Sequence, residues 1–131
     1  MYQDLDQQQQ LMRIAQGNYF ELSKSSKDSI LALQDYIVKC PVEEASRISK
    51  RLQNQYHIMV THRFASYILQ QMILKDAGTV NVLGTYCLYY FKELMLNEYS
   101  SRILQKLIEN SYEFYQKSRD ILIECFDLAL S

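Results

Sequence analysis

The chain has 131 residues, 48% of them hydrophobic, with three glycines, one proline and no tryptophan; this suffices to bury one core or one continuous repeat array and is too poor in turn formers for a strand-rich protein. A formal net charge of -1 excludes a global basic field, so any contact with a polyanion is local. Cys40, Cys87 and Cys125 stand far apart, in no ligand spacing with His57 or His62, so neither a metal nor a cofactor is expected, and the free thiols point to a reducing compartment, cytoplasmic or nuclear.

The first residues, MYQDLDQQQQLMRIA, lack the basic start and apolar run of a secretory signal. They read as a helix over about Leu5 to Gly17, with Gln7 to Gln10 as its polar start. No apolar run approaches the ~20 residues that span a bilayer, so no membrane partner is expected.

From here the chain repeats itself. Phe64 to Ile73 reads FASYILQQMI and Tyr99 to Ile108 reads YSSRILQKLI, and one period earlier Gln34 stands in KDSILALQDYI with Leu33 and Ile37 in register. Aromatic residues at Phe20, Tyr56, Phe91 and Phe126 follow the same period of 35 to 36 residues. A fixed period of this length is the signature of stacked supersecondary units. The expected division is a flanking helix over 1–19, units over 20–55, 56–90 and 91–125, and the start of a fourth unit or a cap over 126–131.

Each unit divides into three helical pieces. Short ones cover Phe20 to Ser23, Tyr56 to Thr61 and Phe91 to Leu96; motif helices cover about Lys27 to Val38, Arg63 to Leu74 and Glu98 to Asn110. Third pieces cover about Val42 to Gln55, Thr79 to Tyr90 and Tyr112 to Cys125. The Ser/Lys cluster at 23–27, Thr61 and Asn97 are the expected breaks and caps before the motif helices, and Pro41 and Gly78 mark the joints before the third pieces. Tyr89, Tyr90, Tyr112 and Tyr115 are expected to pack between units, some of them marking a protein-partner surface.

At 3.6 residues per turn, Ala65, Ile68, Leu69, Met72 and Ile73 form one stripe, as do Ser100, Ile103, Leu104, Leu107 and Ile108. These stripes are the expected core. Ser66, Tyr67 and Gln70, and likewise Ser101, Arg102 and Gln105, form a polar patch away from it. Gln and Ser offer donors and acceptors to the edge of a planar heterocycle, and Tyr or Arg offers a flat surface for stacking.

In these residues the chain resembles the Pumilio/PUF repeat family, whose three-helix units each read one RNA base with two or three side chains of the middle helix. The resemblance implies an all-α, right-handed α-solenoid of about three PUF-like repeats that binds single-stranded RNA, in the cytoplasm, nucleus or nucleolus. By it, Ser66 and Gln70 read a base edge with Tyr67 as stacker, the pattern the family pairs with uracil save that Ser66 stands where Asn is typical, and Ser101 and Gln105 do so with Arg102, in the pattern the family pairs with adenine. Gln34 remains as a weaker contact in the first unit, where Ile30 and Leu31 replace the other readers. The alternative is a structural scaffold subunit of a larger ribonucleoprotein or protein complex, with protein partners covering the end units. No Gly-rich phosphate loop, nucleophile elbow or paired-carboxylate motif is present, so no catalysis is expected.

Overall fold

The computed structural model of the chain describes residue 17 and residues 19–130, of which 22, 126 and 128–130 are described by their backbone alone. The expected helix over Leu5 to Gly17, with its glutamine run, and Ser131 lie outside the described residues, Gly17 apart. Every described element is helical: α1 (Tyr19–Ser25), α2 (Lys27–Lys39), α3 (Val42–Leu52), a 3-10 turn (Gln53–Gln55), α4 (Tyr56–Met59), α5 (Ala65–Lys75), α6 (Ala77–Tyr89), α7 (Phe91–Leu94), α8 (Glu98–Asn110) and α9 (Tyr112–Leu130). None of these helices is long and apolar enough to cross a membrane.

The three helices carrying the repeated motif lie side by side, α2 against α5 and α5 against α8. What joins them is the apolar stripe of each. Leu33, Ile37, Ala65, Ile68, Leu69, Met72, Ile103 and Leu107 are almost completely buried, and the third helices close the same core with Ile48, Leu52, Leu83 and Cys87. One contiguous core therefore runs through all three groups, each of which could not bury its stripe alone.

Caps recur at one register. Ser26 Oγ accepts the Ser29 amide, His62 Nδ1 accepts the Phe64 and Ala65 amides at 3.1 Å each, and Asn97 Oδ1 accepts the Tyr99 and Ser100 amides. Each satisfies donors that a helix start leaves without an intrahelical partner. Thr61, the expected break in the second unit, is exposed, and the imidazole one residue later takes the task. Burial lowers the His62 pKa, helped by the nearby Lys24 charge, which favours the neutral ring that can accept.

The joints between motif and third helices differ from expectation as well. Asp76 ends α5 and starts α6, its carboxylate accepting from the Gly78 and Thr79 amides and the Thr79 hydroxyl. Gly78 is thus inside the first turn of α6, not a terminator. Ser111 likewise ends α8 and its Oγ accepts the Phe114 amide. The first joint uses two residues, Cys40 closing α2 and Pro41 at the N-cap of α3 without a side-chain bond.

Neighbouring groups interlock through their third helices. The Ser49 and Thr79 hydroxyls meet between α3 and α6, and the Phe114 ring of α9 lies over Gly84 of α6, where an added Cβ would already be in van der Waals contact. Three expectations fail here. In the first group Tyr19, not Phe20, is the buried aromatic, while Phe20 is half-buried under the Lys24 ammonium. Tyr89, Tyr90, Tyr112 and Tyr115 are exposed, Tyr90 with its ring 4.9 Å from that of Tyr86, whereas Tyr56 packs on Tyr86 and Phe91 on Phe114 at the core. And α9 shows no break at Phe126: with neither Gly nor Pro after Tyr112, one helix continues to Leu130.

Candidate nucleic-acid interface

A groove of ≈ 500 Å³ crosses the three motif helices. From α2 it is lined by Lys27, Ile30, Leu31 and Gln34; from α5 and the residues just before it, by Arg63, Phe64 and Tyr67; from α8, by Glu98, Tyr99 and Arg102. Side chains three and four apart share a helix face, and the repeat sets these faces in line. Lys27, Arg63 and Glu98 occupy one register, and Leu31, Tyr67 and Arg102 the register four residues on.

The two expected stackers meet in the groove. Arg102 Nη1 donates to the Tyr67 hydroxyl at 3.1 Å, and Arg102 Nη2 lies 3.6 Å from Glu98 Oε1. Tyr67 is 37% exposed and the Arg102 side chain 48%, so both present a flat surface to solvent. The guanidinium of Arg63 sits 5.1 Å from the Phe64 ring centroid, a second cation beside a second aromatic face.

The expected edge readers are placed differently in the two helices. On α5, Ser66 is buried, and its Oγ and the buried Nε2 of half-buried Gln70 have no hydrogen-bond partner among the described residues. On α8, Ser101 is half-buried with Oγ donating to the Glu98 carbonyl, and Gln105 is exposed with Nε2 donating to Glu109 Oε1. On α2, Gln34 is half-buried and lines the groove, beside buried Ile30 and exposed Leu31. The groove therefore gathers Gln34, Tyr67 and Arg102; Ser66, Gln70, Ser101 and Gln105 do not line it.

Arg63, Phe64, Glu98 and Tyr99 were not singled out by sequence. Their signal was spacing: each lies three or four residues before Tyr67 or Arg102, one turn along the same face. The α2 side sets Ile30 and Leu31 between Lys27 and Gln34, and the α5 and α8 sides carry Arg63, Arg102 and the rings of Phe64, Tyr67 and Tyr99. Such a surface can stack planar groups and attract one or two anionic charges, with Glu98 offsetting part of that attraction. Among the described residues no group of three or more His, Cys, Asp or Glu is placed to hold a metal ion. Compared with protein-family models, with characterised proteins and with solved structures, the chain matches none.

Proposed function

We propose that this chain is a right-handed α-solenoid of PUF-like repeats that holds a short single-stranded RNA along the groove across α2, α5 and α8, without catalysis, in the cytoplasm or nucleus. The observation that carries the reading is the pair Tyr67 and Arg102, one repeat apart and in contact at an open surface, flanked by Lys27 and Arg63. Two stacked bases contribute ~2 to 6 kcal/mol against an association cost of at least ~4 kcal/mol, so affinity for the isolated chain is weak. A base entering between the two stackers must part the Arg102–Tyr67 bond, and the edge contacts from Ser66 and Gln70 require α5 to expose them. Fluorescence anisotropy with labelled oligonucleotides tests this. RNA with adjacent U and A binds better than scrambled RNA, and Tyr67→Ala with Arg102→Ala removes the difference; no binding by the wild-type chain at high micromolar RNA overturns it.

A second reading, a scaffold subunit acting through protein contacts, is favoured by one separate observation. The end helix α9 exposes Tyr112, Tyr115, Leu122 and Ile123, apolar surface of the kind that marks an interaction site.

A further inference from the structure

The repeat makes the exposure on α9 interpretable. Ala45 of α3, Val80 of α6 and Tyr115 of α9 stand at one register, as do Leu52, Cys87 and Leu122. In the first two groups these positions are buried or packed against the core, because the next group covers them; in the third, Tyr115 and Leu122 are 42% and 44% exposed. The face is an interface by construction, open on α9 among the described residues. On its outer side this helix also differs from its predecessors in length, 19 residues against 11 and 13.

Charge says what fits there. Beside this face Ile123, in register with half-buried Leu88 and exposed Gln53, is 47% exposed, with Arg119 four residues before it and Asp127 four residues after it, both exposed. Neither is in an ion pair among the described residues, although Glu113 and Lys117 of the same helix pair at 2.8 Å. Opposite charges at equal distances on either side of an apolar residue form a self-complementary pattern. In an antiparallel pair of identical helices with the two-fold axis at Ile123, Arg119 of each copy falls opposite Asp127 of the other, and Ile123 meets itself.

We propose that two copies of this chain associate through α9, antiparallel about a two-fold axis at Ile123, with Arg119 and Asp127 as reciprocal partners. Tyr115 and Leu122 then pack along the side of the seam that joins the core, and Tyr112 closes its end. The inference uses no groove residue and stands whether or not the groove holds RNA.

Sedimentation velocity on the full chain, from about 5 to about 500 µM, is the test. The wild-type chain shifts from monomer to dimer across that range. Arg119→Asp and Asp127→Arg each place like charges in opposition and weaken the dimer by roughly tenfold or more, while the double exchange returns it to within roughly threefold of wild type. Both positions are exposed, so folding is retained, checked by circular dichroism. In a Cys125→Ser background, Ile123→Cys forms an intermolecular disulfide on mild oxidation faster than Glu124→Cys, because only a residue on the axis faces its own copy. A monomer throughout, a double exchange that fails to restore association, or equal crosslinking at 123 and 124 overturns the proposal.

Discussion

Among the described residues helix α5 lies between α2 and α8, whereas α8 has a motif helix on one side only, and nearly identical residues behave differently in the two settings. Ile73 of α5 is 4% exposed, while its counterpart Ile108 on α8 is half-buried. Ser66 of α5 is enclosed without a hydrogen-bond partner among the described residues, while Ser101 bonds within its own helix and Gln105 stays in solvent. Where motif helices lie side by side, the side chain available at a motif position is decided by the number of neighbours as much as by its type. A central unit can hold a polar group ready yet closed, and a terminal one shows the same group satisfied by its own helix.

Shortening the paired isoleucines separates the two helices most. Ile73→Ala leaves a cavity enclosed on both sides and costs about 2 to 4 kcal/mol, and Ile108→Ala about half of that; urea unfolding measures both, and equal losses would mean that the end group is as tightly enclosed as the middle one. A smaller effect separates the two caps. Because the His62 pKa is lowered in the folded chain, the unfolded chain binds more protons between that lowered value and the ordinary 6.5. Stability from this group is therefore fully present above about pH 6.5 and is lost as pH falls through the folded value. Thermal melts from pH 7.5 to 5 show this loss in the wild type, and His62→Asn, which restores the non-titrating cap found at Asn97, removes that component. The smallest effect concerns the serines. Ser66→Ala is neutral or stabilising by up to about 1 kcal/mol, since it removes a buried hydroxyl without a partner, whereas Ser101→Ala stays within about 0.5 kcal/mol of wild type; chemical denaturation resolves the sign.

Much of the fold was legible because helical period and repeat period agree. The stripe from Ala65 to Ile73 is buried throughout, and that from Ser100 to Leu107 likewise, because apolar residues three and four apart leave a helix only one face to bury. The capping register was legible at Asn97 and hidden at His62, where an imidazole, whose nitrogen accepts only when neutral, replaces the usual small oxygen side chain. Ser66 could not be placed from α5 alone: its burial depends on neighbouring helices that only the stacking brings together. The groove was legible at Tyr67 and Arg102, which line it, but not at Arg63, Phe64, Glu98 or Tyr99, residues at the entrance to the motif helices that line it only once the helices lie side by side. The surface position of Tyr89 and Tyr112 was missed because an aromatic ring at a third helix suits packing and exposure alike.

The joints explain how such a chain tolerates change in its length. Gln34 and Gln70 are 36 residues apart and Gln70 and Gln105 are 35, yet the three motif helices remain in register. The extra residue is absorbed between α2 and α3, where Cys40 and Pro41 divide the task that Asp76 and Ser111 each perform singly. An insertion inside a helix would turn every later side chain by about 100° and carry the apolar stripe out of the core. At a corner it costs one more turn residue, so the corners are where the chain can gain or lose single residues without redesigning what lies downstream.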